Sequence, residues 1–328
     1  MTKKILIVIV IAVVLPLAYF YFQFQPSPNP QFGLSFSTSH AQYLGFDWKE
    51  MYLDMLNDLR PKKLRLMAYW ELIEPKQGQF DFQTMDEMVI EAGKRDIDVI
   101  LAIGRKLPRW PECHQPAWYA GLTEEQQRQG QLTMIEQVVS HFRQFDAIKI
   151  WQVENEPLFE FGKACPKIEA GLVREEIAII KKSDSRPVLL SDSGEQGNWA
   201  QTVRLGADIF GSTMYRTVYS ERWGYYKYPL PAWFFRIKAG WLRKFTGIEK
   251  VIGVELQAEP WFVKEIFQTE LTDQFALMNP KIFEANVNYA KKAGFEENYL
   301  WGVEWWYWLA KEKNDWGMWN QAKQLLAE

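Results

Sequence analysis

From Phe32 onward, short runs of aliphatic, β-branched and aromatic residues alternate with longer stretches in which apolar positions recur at helical spacing. Runs of the first kind suit buried parallel strands, and those of the second suit the helices that cover them. Strand signals begin near Gly33, Lys63, Asp98, Ala147, Pro187, Asp208, Val251 and Tyr299. Helix punctuation agrees with this division. Thr123–Gln126 (T-E-E-Q) reads as a capping box, and Asn279-Pro280 as an N-cap followed by a first-turn proline. Eight βα units in residues 32–328 predict an α/β protein with a closed (β/α)8 architecture, a TIM barrel. A doubly wound open sheet is the runner-up, but the Gly-rich first turn usual there is missing.

The N-terminus breaks the pattern. Met1–Lys4 (M-T-K-K) is followed by an uncharged apolar run from Ile5 to Phe22. As a helix, that run covers roughly 27 Å, the thickness of a bilayer's hydrocarbon core. It is read as a transmembrane signal-anchor, with residues 1–4 a cytoplasmic tail held by Lys3 and Lys4. The expectation is a single-pass protein of the cell membrane whose residues 32–328 lie outside the cytoplasm. A cleaved signal peptide is the alternative, but Tyr-Phe-Tyr-Phe-Gln-Phe at residues 19–24 offers no small-residue cleavage site and resembles an interfacial aromatic belt. Residues 23–31, rich in proline, read as an extended, stiff linker.

Composition narrows the function classes. A net charge of -3 gives no electrostatic case for nucleic acid. Only His40, His114 and His141 are available as imidazole ligands, and none are spaced as a metal-binding pair, so neither a metal centre nor any other cofactor is expected. No G-x-S-x-G, P-loop or G-x-G-x-x-G occurs. The chain does carry 16 Trp in 328 residues, more than core packing usually needs, and flat indole faces suit the C–H faces of sugar rings.

In a barrel of this kind the chemistry sits where strands end. The fourth strand runs into Trp151–Pro157 (W-Q-V-E-N-E-P), and the seventh carries Val251–Trp261 (V-I-G-V-E-L-Q-A-E-P-W). Each therefore ends in carboxylates, on opposite sides of the barrel mouth. Hydrolysis of a glycosidic bond needs two carboxyl groups flanking it, one a protonated acid and the other a nucleophile or base.

These segments resemble the large clan of retaining glycoside hydrolases with catalytic carboxylates on strands four and seven, with its cellulase-like and β-galactosidase-like members. Asn155-Glu156-Pro157 resembles its acid/base motif, and Arg65 stands where it has a strand-two arginine. Tyr215 matches its strand-six tyrosine, residues 299–308 resemble its strand-eight tryptophan region, and Trp70–Phe82 resembles its loop after strand two. The resemblance implies Glu156 as acid/base and Glu255 as nucleophile, about 5 to 5.5 Å apart. It also implies Asn155 on the sugar 2-hydroxyl, with Arg65 and Tyr215 ordering the nucleophile. Trp70, Glu259, Trp305 and Trp306 complete the expected substrate-binding set, and Glu154 and Glu304 are further carboxylates near strand ends.

The expected partner is an oligosaccharide or polysaccharide, and the expected reaction a double displacement on a β-glycoside. A transglycosylase or a glycan-binding pseudoenzyme on the same fold are the alternatives. Cys113 and Cys165, on loops after neighbouring strands, are expected to form a disulfide outside the cytoplasm. The aromatic and basic segment Trp223–Phe245 falls where the sixth barrel helix belongs. It reads either as barrel packing or as an element lying against a membrane.

Overall fold

The computed structural model describes residues 3–160, 165 and 167–328, with side chains from Ala12 onward in the N-terminal helix. Eight parallel strands close a barrel: β1 (Gln31–Phe36), β2 (Lys63–Met67), β3 (Asp98–Ile103), β4 (Ile148–Val153), β5 (Val188–Asp192), β6 (Ile209–Met214), β7 (Lys250–Gln257) and β8 (Glu297–Trp301). Each starts within two residues of its sequence signal. Closure is made by β8 pairing β1, with Gln31 opposite Glu297 and Leu34 opposite Leu300. The open-sheet alternative is thereby excluded.

Strand alternation explains the two-layered core. Ile100, Ile150, Leu189, Ile209, Ile252, Val254 and Tyr299 form one buried cluster inside the barrel. Residues of the opposite parity, such as Leu64, Leu66, Val99, Leu101 and Trp151, join the buried cluster that includes helix residues such as Met134, Val138 and Phe142. The two anticipated helix starts are present. Thr123 and Gln126 bond reciprocally, and Asn279 accepts from the amides of Lys281 and Ile282. A short hairpin, Thr217–Ser220 with Gly224–Lys227, follows β6 and precedes the helix Trp233–Thr246.

That helix does serve as barrel packing, with Phe235, Ala239 and Leu242 buried. It has a second neighbour, the N-terminal helix Lys3–Gln23. The two backbones meet at Gly240, where a Cβ would lie 1.9 Å from the carbonyl oxygen of Phe20, so only glycine fits. Arg236 lies over the Tyr21 ring at 3.6 Å and bonds its hydroxyl. Part of the proline-rich stretch lies against the barrel. Phe24 is buried edge-on to Phe295, and the Ser27 amide donates to the Gly294 carbonyl at 2.9 Å. Among the described residues no helix is long and apolar enough to cross a membrane. Residues 1–2 of the expected tail lie outside the described residues, as do the side chains of residues 5–11 of the expected span.

Candidate active site

The mouth of the barrel collects the two expected glutamates. Glu255 lies on β7, and both of its carboxylate oxygens are gripped. Arg65 donates from Nη1 to Oε1 at 2.8 Å, and the Tyr215 hydroxyl donates to Oε2 at 2.9 Å. Arg65 is fully buried inside the barrel and spends its other donors on Gln152 and Asn155, at 2.8 and 3.0 Å. The guanidinium therefore sets β2, β4 and β7 relative to one another through its planar fork.

Glu156 sits just past the end of β4 in a turn where Glu154 and Glu156 both have positive φ, 55° and 46°. Non-glycine residues rarely hold that conformation without support. The support comes from side chains. Glu154 accepts from the amides of Arg105 and Lys106 and from Gln131 Nε2, and the Glu156 amide donates to Ser191 Oγ at 3.0 Å. Gly104 makes room for this, since a Cβ there would lie 2.5 Å from Glu154 Cδ. The Glu156 carboxyl accepts from Thr213 Oγ1 at 3.0 Å. Burial, then the nearby charges of Glu255 and Glu112, push its pKa well above the ordinary carboxylate range, favouring the protonated form.

Asn155 Oδ1 accepts from both Arg65 and Ser191 Oγ, leaving its amide nitrogen for the cavity it lines. That cavity, of about 570 Å³, also reaches Tyr215, Glu255, Glu259, Trp261 and Trp301. Glu259, expected to bind substrate, lines it but is clamped by Arg109, whose other arm reaches Glu304 at 2.6 Å. The Arg109 guanidinium lies over the Trp301 ring at 4.1 Å.

Three expected substrate contacts are elsewhere. Trp70 is fully buried, its indole N–H donating to Glu74 and its ring edge-on to Trp118 and Tyr119. Trp305 and Trp306 are fully buried in the helix after β8, bonded to Gln274 and to the Ala258 carbonyl. The strand ends at Trp301, so of Trp301, Trp305 and Trp306 it is Trp301 that lines the cavity, beside Trp110 and Trp261 from other loops, and the other two are buried in the following helix. His114 is structural, held between Glu71 and the Arg109 carbonyl, and His141 pairs with Asp86 beside Phe82. His40 does line the cavity.

Sequence reading missed Thr213, Ser191, Arg109, Glu112 and Trp301. Thr213 was within reach, two residues before Tyr215 on the same strand face. Arg109 and Glu112 were not, because they lie on a loop with φ of 84° and 68° whose path no local pattern specifies. The disulfide between Cys113 and Cys165 is present, with Cα atoms 5.1 Å apart, and ties this loop to the one after β4.

The family model described as Beta-galactosidase, glycoside hydrolase family 42, matches residues 48–170. No curated protein matches the chain. Among solved structures, a family 5 subfamily 18 protein from Streptomyces cattleya in complex with GlcNAc is similar at 13% identity and a TM-score of 0.60, over 84% of this chain and 71% of that one. A family 10 endo-β-1,4-xylanase from Gloeophyllum trabeum is similar at 16% identity and 0.57, over 92% and 98%. A β-galactosidase from Halorubrum lacusprofundi is similar at 12% identity and 0.55, over 83% and 52%. Over residues 48–170 the chain is similar to the family 42 β-galactosidases, and it shares the fold of these glycoside hydrolase structures.

Proposed function

We propose that the chain hydrolyses β-glycosides with retention, with Glu255 as nucleophile and Glu156 as acid/base. The observation that carries this reading is the unequal treatment of the two carboxyls. Glu255 receives two donors, one of them cationic, as suits a carboxylate oriented for attack. Glu156 is buried among negative groups that favour its proton. In the first step a Glu255 oxygen bonds the anomeric carbon while Glu156 gives its proton to the departing oxygen. In the second, Glu156 takes a proton from water, which displaces Glu255 and restores the β-configuration. Asn155, with its Oδ1 occupied, offers N–H to the sugar 2-hydroxyl.

Glu259 is the competing nucleophile on the same segment. Its partner Arg109 also holds Glu304, and the Tyr215 hydroxyl goes to Glu255 instead, which supports a structural and binding role for Glu259. Azide added to an activated aryl β-glycoside tests the assignment. Glu156→Ala should yield β-glycosyl azide, because azide intercepts a normally formed glycosyl-enzyme. Glu255→Ala should yield the α-azide, because azide occupies the space of the missing carboxylate. An α-azide from Glu259→Ala, with none from Glu255→Ala, would reverse the roles.

We also propose that the apolar N-terminal helix tethers the barrel to a membrane on its non-cytoplasmic side. The uncharged run at residues 5–22, the preceding lysines and the disulfide support this reading.

A further inference from the structure

The active-site cavity is lined by a further carboxylate with no task in the mechanism above. Glu112 lines it, one residue before the disulfide-bonded Cys113, in a backbone conformation with φ of 68°. Its Oε2 is buried and accepts no hydrogen bond from any described residue. The nearest cation, Lys106 Nζ, stands 3.7 Å away, and its donors go to the carbonyls of Glu156 and Phe159 at 3.0 and 2.5 Å. An unbonded buried carboxylate oxygen is costly, and a ligand hydroxyl or ammonium in the cavity would remove that cost. His40 repeats the feature on the same cavity, since its buried Nε2 has no hydrogen-bond partner among the described residues.

Because Glu255 and Asn155 line this cavity, the sugar it takes is the one whose anomeric carbon is attacked. The charges around that sugar are mostly negative. Glu112, Glu255, Glu259 and Glu265 line the cavity, the buried cations beside them are committed, and the one exposed cation of the lining, Lys264, belongs to the loop after β7. Arg65 holds Glu255 and Asn155, Arg109 holds Glu259 and Glu304, and Lys106 holds backbone carbonyls. Among the described residues, a carboxylate or sulfate on the ligand would meet no buried cation left unpaired, only the exposed Lys264, whereas hydroxyls or an amine would meet the unbonded oxygen of Glu112.

Resting on the hydrolase reading, we propose that Glu112 is a specificity-determining residue that contacts the glycone and selects neutral or amine-bearing sugars over acidic ones. Burial first, and the charge of Glu255 against that of Lys106, place its carboxyl at about 7, so it can accept from or donate to a sugar hydroxyl near neutrality. The disulfide supports the role by holding the loop next to Glu112 against the loop after β4.

The test measures kcat/KM of the full chain and of Glu112→Gln on aryl β-glucoside, β-galactoside, β-mannoside, β-glucosaminide and β-glucuronide. The unmodified chain should cleave at least one neutral or amino glycoside roughly 100-fold better than the glucuronide. Glu112→Gln should lose roughly 10- to 100-fold on that preferred sugar, mainly in KM, and narrow the margin over the glucuronide. Glu112→Asp, which keeps the charge and shortens the reach, should lose activity on the same sugar while still rejecting the glucuronide, and it serves if Glu112→Gln does not fold. A glucuronide as best substrate, or folded Glu112 variants within twofold of the parent on every sugar, would overturn the proposal and leave the hydrolase reading standing. Inactivity of the parent on all five glycosides together with failure of azide rescue would instead remove the hydrolase reading beneath it.

Discussion

The Tyr215 hydroxyl donates to Glu255 Oε2 at 2.9 Å, across the 40 residues that separate them in sequence. Tyr215 itself is held in place, because its amide bonds Glu195 Oε1 at 3.0 Å and its ring stands edge-on to Trp261. Tyr215→Phe should preserve the ring packing and remove only the hydroxyl. A hydrogen bond to a charged group contributes about 1.5–3 kcal/mol, so kcat/KM should fall by roughly 10- to 150-fold. Steady-state kinetics alongside a thermal melt separate this from unfolding, since the melting temperature should change little. An unchanged kcat/KM would show that Arg65 alone orients the nucleophile.

Glu154 and Glu176 form a buried pair behind the acid/base turn, both bonded by Gln131 Nε2. Burial raises both, and the charge of Glu154 raises Glu176 further, so the pair retains a proton at pH values where an exposed carboxyl has lost it. A group that binds its proton more tightly when folded stabilises most below its unfolded pKa. That stability is lost as pH rises through the folded value. Glu176→Gln removes the proton requirement while keeping the shape. Melting temperature plotted against pH should fall less steeply from about pH 5 upward in Glu176→Gln than in the parent chain. Parallel curves would show that the pair does not control alkaline stability.

The packing of Phe24 on Phe295 divides the N-terminal segment into two parts with different consequences when removed. Deleting residues 2–23 should leave the barrel folded and active, although it uncovers the helix face around Gly240, Trp241 and Phe245, where self-association would follow. Deleting residues 2–30 also removes Phe24 and the Ser27–Gly294 bond, costing about 2 kcal/mol more from the lost aromatic burial. Chemical denaturation of both truncations measures the difference. Fractionation measures the tether, with the full chain expected in the membrane pellet after a salt wash and both truncations in the supernatant. A full chain released by salt would remove the tether.

The sequence by itself determined the barrel, because eight apolar runs separated by helical periodicity and punctuated by caps are local signals, each readable within ten or twenty residues. It also narrowed the candidate carboxylates to the segments ending the fourth and seventh strands, and the family resemblance singled out Glu156 and Glu255 among them. What it could not supply was the company those glutamates keep. Trp301, Trp305 and Trp306 are equally aromatic in sequence, and only the point where β8 gives way to a helix puts the first at the cavity and buries the others. Glu112 and Arg109 reach the site because a disulfide and a network of buried ion pairs hold a loop of unusual backbone conformation. The charges around Glu156 that favour its proton come from residues 44 or more positions away in the chain or from a neighbouring strand, so its acidity belongs to the tertiary structure. Local patterns decide where strands and helices form; long-range packing decides which side chains lose their water together, and that loss sets the electrostatics of the site.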